Sequence, residues 1–538
     1  MSVILGLNGI PFLGHDPAAA LIIDGVVVAA VEEERLTRTK RAMGCPPTQA
    51  VREVLSIAGL SPHMVDVVAV PWMPKAMGYA NAWAEAELRA WLEAHEFRRG
   101  SSLQIRFVEH HEAHAWSGLA FVPKGLENRN IGVLVADGSG ESTGGAAYLY
   151  GDRGLTRHWH LKQASSLGLY YESVTQYLGF VWGEEGKTMG LAAYGRDMDL
   201  LMPDLCDARE HGPLLDWPPE EGSTKHRHER FREALVEQFQ RLHGNPSHLT
   251  FNARADIALA AQAVVAERLM TYVREFSHPI DVVVFAGGVA LNCTINATLA
   301  AYCRARGIEF VIPPPASDTG VALGAAVAAL ENPLTLRPID HPFLGAHFSA
   351  DTIVSALQSH GTNVELMPIE RIATLLVEQS LVCGWVEGRS EIGPRALGAR
   401  AIVARPDNVA VRDRINFLKG RESWRPLAPS VTAAEFQRSF PQAIPSPHML
   451  INAASRGASH LRGVIHVDGT SRPQVVDRPG PYRDLLTAIG HNSDGEALVC
   501  TSFNAAGEPI VYSPTDALRS ARAMHLDALA GDGWFARL

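Results

Sequence analysis

The sequence predicts an α/β protein with more than one domain, and three observations carry this prediction. Short apolar runs of strand length alternate with segments of helical spacing in the first part of the chain. A length of 538 residues is enough for two to four domains. An apolar content of 46% is sufficient for large cores and excludes a disordered chain.

Two stretches of the chain begin with a strand and continue into a β-hairpin. The first contains the turn Asp24-Gly25, and the second contains a glycine turn after Asp137. This repeated scheme predicts a duplicated domain rather than a Rossmann fold. The expected elements are strands at 3–7, 18–23, 26–31, 131–136 and 145–150, and helices at 48–58 and 83–97.

The middle of the chain contains an irregular stretch and then further α/β elements. Residues 200–250 are interpreted as a connecting segment, with the charged run 225–230 as a solvated loop. A helix is expected at 255–276, strands at 282–285 and 310–312, and an alanine-rich helix from Ser317. The proline-rich segment 332–342 predicts a first domain at 1–338 and a second domain at 339–538.

Composition narrows the classes of function. A net charge of -10 argues against a nonspecific nucleic-acid surface or a polybasic membrane anchor and favours small polar substrates. The six cysteines include no Cys-x-x-Cys pair, which is typical of a protein from a reducing cytoplasm. There is no signal-peptide pattern, and no apolar run reaches the spanning length of about 18 to 20 residues. We therefore expect a soluble, cytoplasmic protein without a membrane or nucleic-acid partner.

A pair of histidines one helical turn apart, His110 and His114, indicates a metal site. Their side chains share one helix face and can hold one ion. Asp137 follows a buried strand, and Asp318 stands at a helix start that Ser317 or Thr319 can cap equally well. Two imidazoles and two carboxylates suit iron, manganese or zinc better than calcium.

Glycine turns provide candidate nucleotide contacts. Gly287 and Gly288 follow a buried strand and let the backbone approach a nucleotide, with Asn292 available for a ribose or base. Gly138 follows Asp137 in a similar turn, and Lys187 lies among glycines without the spacing of a Walker A loop. These residues are the predicted nucleotide-binding set.

The loop after the first strand carries His15-Asp16. A histidine beside a carboxylate can be a general base with a pKa near neutrality. Neighbours in sequence usually diverge in space, so a purely structural turn is an equal alternative.

The second domain contains a cluster of cations. Lys419 and Arg421 are two residues apart and Arg425 follows four residues later, a spacing typical of an anion site carried by a strand. Arg395 lies in an upstream Gly-Pro-Arg-Ala-Leu-Gly run, while Ser502 and Asn504 add donors further along. Phosphate or acyl-phosphate binding is the predicted role of these residues.

These motifs together resemble a known family, the ATP-dependent O-carbamoyltransferases of nodulation-factor and antibiotic tailoring. The likeness covers nearly the whole chain, and eight motifs in order are specific. They are Asn8-Gly9, His15-Asp16, 32–35, the His110/His114 pair, Asp137-Gly138, 287–292, Ser317-Asp318 and 393–398.

The resemblance implies an actin-like (ribonuclease H-like, duplicated) ATPase domain followed by a YrdC-like α/β domain. It implies iron on His110, His114, Asp137 and Asp318, and ATP with magnesium. Carbamoyl phosphate and ATP would form carbamoyl adenylate in the second domain, with Lys419 and Arg421 as catalytic cations. A hydroxyl of a small molecule, such as an antibiotic or another secondary metabolite, would then accept the carbamoyl group, with His15 as the base beside Asp16. A homodimer is expected from the family.

Three alternatives share parts of this pattern. A tRNA threonylcarbamoyl-adenosine synthase has an anionic acceptor that the negative net charge disfavours. A hydrogenase-maturation carbamoyltransferase carries an acylphosphatase part and cysteine zinc fingers that this sequence lacks. A non-enzymatic nucleotide-binding protein of the actin superfamily does not explain the anion-binding second domain.

Overall fold

A computed structural model describes residues 1–152, 154–203, 209–211, 224–276 and 279–538 of the chain. They divide into two compact units. The first unit consists of Met1–Glu33 and Met43–His341, and the second of Glu34–Ala42 and Pro342–Leu538. The short segment Glu34–Ala42 thus belongs to the second unit, although the sequence places it far from the boundary expected after residue 338.

The first unit contains two sheets of matching topology. Their strands are β1 (Val3–Asn8), β2 (Ala18–Ile23), β3 (Val26–Glu32), β4 (Val67–Val70), β5 (Gln104–Phe107), β6 (Ile131–Ala136), β7 (Thr143–Gly151), β8 (Gly154–Lys162), β9 (Arg209–His211), β10 (Val282–Ala286) and β11 (Glu309–Val311). The first sheet has the order β3-β2-β1-β4-β5, and the second has the order β9-β8-β7-β6-β10-β11.

The topology of the two sheets confirms the predicted duplication. In the first sheet, an antiparallel hairpin β1-β2-β3 is followed by β4 and β5, which run parallel to β1. In the second sheet, β6-β7-β8 form the same hairpin arrangement, and β10 and β11 run parallel to β6. This repeat is the ribonuclease H-like scheme of an actin-like domain, and it differs from the all-parallel Rossmann sheet.

Helices separate and flank these strands. The helices up to the boundary between the units are α1 (Glu33–Thr37), α2 (Thr48–Ala58), α3 (Asn81–Ala94), α4 (His110–Leu119), α5 (Leu167–Tyr177), α6 (Glu185–Ala192), α7 (Thr224–His243), α8 (Phe251–Arg274), α9 (Cys293–Arg304) and α10 (Val321–Ala328). The strands predicted at 3–7, 18–23 and 26–31 and the helices predicted at 48–58 and 83–97 are confirmed within a few residues. Strands β4 and β5 of the first sheet were not predicted.

The interpretation of 200–250 as irregular throughout was wrong. Residues 224–243 form α7, so the charged run 225–230 lies in a helix and not in a loop. Leu235 and Phe239, one helical turn apart, are buried and give α7 its apolar contact. The high charge of the run hides this spacing. Residues 204–208 and 212–223 lie outside the described residues.

The second unit is an α/β domain around one large mixed sheet, as the sequence predicts. Its elements are β12 (Phe343–His347), α11 (Ala350–Ser359), β13 (Glu365–Leu366), α12 (Ile369–Glu378), β14 (Cys383–Val386), β15 (Arg389–Glu391), β16 (Arg400–Ala404), α13 (Val409–Leu418), β17 (Ala428–Thr432), α14 (Ala433–Ser439), β18 (Ala453–Ala454), β19 (Thr470–Ser471), β20 (Gln474–Val476), α15 (Pro481–Gly490), β21 (Ala497–Ser502), α16 (Pro514–Ala523), β22 (Ala528–Gly531) and β23 (Trp534–Arg537). The eight-stranded sheet has the order β13-β23-β22-β14-β16-β21-β17-β20.

The cores lie on the faces of the sheets, beneath the helices. Strands β1, β6, β10 and β16 are buried along their whole length, which explains their near-continuous apolar sequences. Among the described residues, no helix has both the length and the apolar content needed to cross a membrane.

Candidate functional site

Helix α4 carries the histidine pair, and its start is held by Glu109. The Glu109 side chain caps the helix by accepting from the backbone amide of Glu112 at 2.8 Å. The same carboxylate accepts from the Tyr148 hydroxyl at 2.9 Å and from Arg157 at 2.7 Å. Against the opposing effect of burial, Arg157 and His111 lower the pKa of Glu109. A charged cap therefore fixes the helix turn that presents His110.

Close packing of α4 and α10 brings Asp318 to the histidines. A Cβ atom at Gly324 would lie 1.7 Å from the backbone oxygen of Ala113, so only glycine allows the helices to approach this closely. Asp318 stands in the short 3-10 turn Asp318–Gly320 that leads into α10. The fourth group, Asp137, follows β6 directly.

The structure brings the four predicted metal ligands together. His110 Nε2 lies 3.4 Å from an Asp137 oxygen and 3.5 Å from an Asp318 oxygen. His114 Nε2 lies 3.7 Å and 3.3 Å from the same two oxygens. The four ligand atoms all lie within 4.8 Å of one another, and all four residues are buried.

This arrangement fits a divalent metal ion. Donors bound tetrahedrally to one ion at about 2.0–2.2 Å lie about 3.4 Å from each other. Among the described residues, neither ring nitrogen of His110 or His114 has a hydrogen-bond partner, which is costly in a buried site without a ligand. Burial opposes their protonation, yet Asp318 and Asp137 raise the pKa of both histidines. The two carboxylates thus make a field that attracts positive charge.

Asp137 is oriented by the glycine turn after β10. Its Oδ1 atom accepts from the backbone amide of Gly288 at 2.8 Å. Gly287 has φ +91°, and a Cβ atom there would lie 2.2 Å from the Ala136 oxygen. The turn predicted to approach a nucleotide therefore also holds a predicted metal ligand.

His15 and Asp16 lie beside this cluster. The positive φ of Asp16, +52°, turns its side chain back toward its neighbour, so the adjacent pair does not diverge. His15 Nδ1 is 2.9 Å from the Asp16 carboxylate and 3.8 Å from that of Asp318. The ring of Trp182 meets the His15 ring edge-on at 5.1 Å.

Three neighbours of the metal cluster escaped the sequence analysis as functional residues. Trp72 stacks on His110 with ring centroids 4.0 Å apart and donates its Nε1 hydrogen to Asn8 Oδ1 at 3.1 Å. Glu141 accepts from the backbone amide of His110 at 3.2 Å. Asn8 appeared only within a family motif. No spacing rule links Trp72 or Glu141 to the histidines, because the contacts are made across the fold.

The remaining nucleotide candidates have local partners. Asn292 caps α9 by accepting from the backbone amides of Thr294 and Ile295, each at 3.2 Å. Lys187 lies in α6 and pairs with Glu184 at 2.7 Å. Gly138 follows Asp137, and its oxygen accepts from Ser166 at 2.7 Å. A nucleotide role for these three residues stays a prediction.

The cations of the second unit lie in a loop, so the prediction of a strand was wrong. Lys419 is the C-cap residue of α13, and Gly420, with φ +59°, turns the chain toward Arg421. Lys419 and Arg421 share one side of the chain because of this glycine turn and not because they alternate along a β-strand. Arg425 lies further along the same loop, 3.9 Å from Glu422.

The loop nevertheless brings Lys419 and Arg421 to the end of β21. Lys419 Nζ donates to the backbone oxygens of Ser502 and Asn504, the latter at 2.8 Å, and to Asn504 Oδ1 at 3.0 Å. Arg421 lies 3.4 Å from the hydroxyls of Thr501 and Ser502. The four predicted residues Lys419, Arg421, Ser502 and Asn504 therefore form one cluster.

Like charges are concentrated in this cluster. Burial, Arg421 and Arg425 hold the pKa of Lys419 well below its ordinary value. Burial, Arg425 and Arg472 lower the pKa of Arg421 to about 9. A bound anion would relieve such crowding of buried cations, and phosphate binding stays the predicted role of the cluster.

The segment Glu34–Ala42 is part of the second unit and brings Lys40 near these cations. Arg35 is fully buried and donates to the Gly393 oxygen at 2.7 Å. Arg38 donates to the Pro509 oxygen at 2.8 Å. Partial burial lowers the pKa of Lys40, as do the charges of nearby Arg41, Arg421 and Arg425. The sequence analysis missed Lys40 and Arg472 because nothing local joins them to Lys419.

Comparison with known sequences gives the family. The pattern of the carbamoyltransferase N-terminus matches residues 4–87 and 79–327, and that of the carbamoyltransferase C-terminus matches residues 373–537. The chain belongs to the carbamoyltransferase family. The family resemblance drawn from eight motifs is confirmed by these matches, which together span both units.

Relatives of this carbamoyltransferase include named proteins. Nodulation protein NolNO of Sinorhizobium fredii is 32% identical over 96% of this chain and 78% of that protein. The 3'-hydroxymethylcephem-O-carbamoyltransferase of Streptomyces clavuligerus is 27% identical over 98% of both chains. The solved structure of T. kodakarensis HypF is 16% identical and covers 62% of this chain and 48% of that chain, with a TM-score of 0.35.

Proposed function

We propose that this carbamoyltransferase uses carbamoyl phosphate and ATP to carbamoylate a hydroxyl group of a small molecule through carbamoyl adenylate. The observation that carries the proposal is the cluster of Lys419, Arg421, Ser502 and Asn504 in a chain matched along both halves by one carbamoyltransferase family. An anion site with this charge suits an acyl phosphate and ATP.

The first step belongs to the second unit. Lys419 and Arg421 neutralise carbamoyl phosphate, and Arg395 and Arg425 add charge around it. Water attacks the phosphorus of carbamoyl phosphate and breaks its P–O bond to the carbamoyl group, which gives phosphate and carbamate. A carbamate oxygen then attacks the α-phosphorus of magnesium-bound ATP. Pyrophosphate is the leaving group, and the cations stabilise the charge that develops on it.

The second step belongs to the first unit. His110, His114, Asp137 and Asp318 would hold a divalent metal, for which we propose iron, with manganese or zinc as alternatives. When bound, this metal supplies a Lewis acid for phosphate oxygens. Gly138, Lys187, Gly287, Gly288 and Asn292 are the proposed contacts of the nucleotide.

His15 is the proposed general base for the acceptor hydroxyl. His15 Nδ1 contacts the Asp16 carboxylate at 2.9 Å, and this carboxylate would stabilise the imidazolium that forms when the ring takes the hydroxyl proton. The hydroxyl oxygen then attacks the carbamoyl carbon, and AMP leaves. His15→Asn is expected to slow transfer from preformed carbamoyl adenylate while adenylate formation continues. Unchanged transfer by this variant would remove His15 from the mechanism.

Two measurements test the proposed function as a whole. Without an acceptor, mass spectrometry of the quenched reaction is expected to detect carbamoyl adenylate. With candidate hydroxyl compounds, one product is expected to gain the mass of a single carbamoyl group. The absence of both species at saturating carbamoyl phosphate and ATP would contradict the proposal. Homodimerisation and a cytoplasmic location are further expectations, to be checked by sedimentation and by fractionation.

A further inference from the structure

Gln262 on helix α8 carries an amide donor that the proposed mechanism does not use. Only 6% of the residue is exposed. Its Oε1 atom accepts from the Tyr171 hydroxyl at 3.0 Å and from Asn292 Nδ2 at 3.1 Å. Its amide nitrogen has no hydrogen-bond partner among the described residues and is not sealed from solvent. Since polar groups that are nearly buried are almost always paired, this donor marks a place for a bound molecule.

The orientation of the Gln262 amide is fixed by its partner Asn292. Asn292 Oδ1 accepts from the backbone amides of Thr294 and Ile295 as the cap of α9, so the other end of this side chain is its NH2 group. That group can only donate, and the Gln262 atom that faces it must therefore be the oxygen. A reversed Gln262 would set two donors against each other. The free end of Gln262 thus offers hydrogens only.

Helix α5 connects this amide to the turn after β6. Ser166, the N-cap of α5, donates to the backbone oxygens of Asp137 and Gly138 at 2.8 and 2.7 Å. Tyr171 lies further along the same helix, about 8 Å from Ser166 at a rise of about 1.5 Å per residue. The hydroxyl that holds Gln262 is therefore carried by a helix that starts at a predicted metal ligand.

The glycine turn after β10 reaches the same amide by a second route. Gly288 donates its backbone hydrogen to Asp137 Oδ1 at 2.8 Å, and it begins the 3-10 turn Gly288–Leu291. Asn292 follows this turn directly, about 8 Å from Gly288 at a rise of about 2 Å per residue. Both routes place the partners of Gln262 at a similar distance from the residues that contact Asp137. A nucleoside linked to a phosphate at the predicted metal site would extend over this distance.

The chemistry of the free amide favours an uncharged partner. Phosphate oxygens are bound most strongly by charged donors such as lysine and arginine, whereas a side-chain amide is neutral. The nucleoside of carbamoyl adenylate offers two kinds of uncharged acceptor, which are the ribose hydroxyl oxygens and the purine ring nitrogens. An amide oxygen in the same place could not donate to a ring nitrogen, so the fixed orientation decides what is recognised.

We infer that Gln262 binds the nucleoside part of carbamoyl adenylate, with its amide nitrogen donating to a ribose oxygen or a purine nitrogen. Asn292 orients Gln262 through the hydrogen bond to its oxygen and so acts as a positioning residue. The inference rests on the proposed function, because it assigns a further contact to the adenylate in the first unit. Nothing in the sequence marks Gln262, since Tyr171 and Asn292 reach it only in the fold.

The test measures AMP binding to the zinc-loaded protein by calorimetry. Lys419→Met is the parent of all variants, because it weakens nucleotide binding in the second unit. We expect Gln262→Met to weaken AMP binding about tenfold, since one hydrogen bond is lost. Gln262→Glu keeps acceptors for Tyr171 and Asn292 but sets an oxygen against the nucleoside, so its loss of affinity should be larger. Thermal unfolding checks that each variant is folded.

Nucleotide analogues identify the acceptor atom. The panel contains 2'-deoxy-AMP, 3'-deoxy-AMP, 3-deaza-AMP and 7-deaza-AMP. One analogue is expected to bind the parent about tenfold more weakly than AMP does, and to bind Gln262→Met as tightly as AMP does. A deoxy analogue in this role assigns the contact to the sugar, and a deaza analogue assigns it to the base. Equal ratios of analogue to AMP affinity in the two proteins, for all four compounds, would contradict the inference.

Asn292→Asp tests the orientation of the amide. Aspartate keeps an oxygen that caps α9 but has no hydrogen to donate, so Gln262 can reverse and AMP binding should weaken about fivefold or more. Unchanged affinity in this variant would contradict the orienting role. Gln240→Glu, at an exposed glutamine of α7, is the matched control for Gln262→Glu and is expected to leave AMP binding unchanged.

Two results separate failure of the inference from failure of the proposed function. Formation of AMP and pyrophosphate from carbamoyl phosphate and ATP by the unaltered enzyme is measured first, and its absence overturns the proposed function itself. If both products form, the same AMP affinity in the parent, Gln262→Met and Gln262→Glu overturns the inference alone. Absence of AMP binding to all three proteins counts as this second result.

Discussion

The indole ring of Trp72 stacks on the imidazole ring of His110, with centroids 4.0 Å apart and planes inclined by 20°. The hydrogen bond from Trp72 to Asn8 fixes the indole in turn. The ring nitrogens of His110 have no hydrogen-bond partner among the described residues. Stacking on Trp72 and the edge-on contact with the His114 ring at 4.7 Å therefore orient the imidazole beside the two carboxylates.

Removal of this stacking is expected to weaken metal binding. Trp72→Ala should lower the affinity for Zn²⁺ or Fe²⁺ by roughly tenfold, in the range usual for groups that orient a metal ligand. Trp72→Phe keeps a ring but loses the hydrogen bond to Asn8, so its metal affinity should lie between that of Trp72→Ala and that of the unaltered protein. Competition with a chromophoric chelator measures both values. Equal affinity of Trp72→Ala and the unaltered protein would show that the helix alone fixes His110.

The close approach of α4 and α10 gives a second prediction. Gly324→Ala places a methyl group against the backbone oxygen of Ala113, so the helices must separate. We expect a loss of about 2 kcal/mol or more of stability, together with weaker metal binding because Asp318 moves from the histidines. Gly186→Ala is the control, since a Cβ atom there has no neighbour within 4 Å. Thermal unfolding and chelator competition measure the two effects, and normal metal affinity in Gly324→Ala would contradict the account.

The cluster of Lys419, Arg421, Ser502 and Asn504 predicts that binding of carbamoyl phosphate depends on pH. Burial and like charges lower the pKa of Lys419 and bring that of Arg421 to about 9. Both cations therefore lose protons at lower pH than usual, so KM for carbamoyl phosphate should rise as the pH increases through about 9. Arg425→Gln removes a neighbouring charge and should move this rise to higher pH. A KM that is constant from pH 7 to 10, or an unmoved rise in Arg425→Gln, would argue against the cluster as the binding site.

The raised pKa of Glu387, in the second unit, predicts that the stability of the protein depends on pH. Burial raises the pKa of its carboxyl group to about 8, although Trp385 donates to it at 3.2 Å. The folded protein therefore holds this proton at a pH where the unfolded chain has released it, and stability falls as the pH rises toward 8. Between pH 6 and 8 the loss is at most about 2 kcal/mol.

Glu387→Gln is expected to flatten this dependence. Thermal unfolding at several pH values measures it, with the exposed Glu378→Gln as the matched control that retains the slope. An identical slope in Glu387→Gln would mean that another group is responsible.

Much of the fold followed from local patterns. The hairpin strands β1 to β3 and helix α2 have clear periodicity, and the metal ligands follow strand ends or share a helix face. The charged sequence of α7 masked a helix that tertiary contacts of Leu235 and Phe239 stabilise. Lys419 and Arg421 lie on one side of a loop because Gly420 turns the chain between them. The two-residue spacing of their charges is the same in such a turn and in a strand, so the sequence pattern could not distinguish the two.

Contacts between residues far apart in the chain could not be predicted from the sequence, for a different reason. Trp72, Glu141 and Lys40 are close to the predicted residues only because the chain returns to them across the fold. The contact of His15 with Asp16 required a positive φ that sequence statistics disfavour for a non-glycine residue.

The most direct test of carbamoyl transfer through an adenylate is the identity of the nucleotide product. The purified protein is incubated with ATP, magnesium and carbamoyl phosphate, and AMP, ADP and pyrophosphate are separated by chromatography. We expect AMP and pyrophosphate only when carbamoyl phosphate is present, and a loss of about a hundredfold or more in folded Lys419→Met. ADP as the product, or ATP consumption that does not depend on carbamoyl phosphate, would contradict the account.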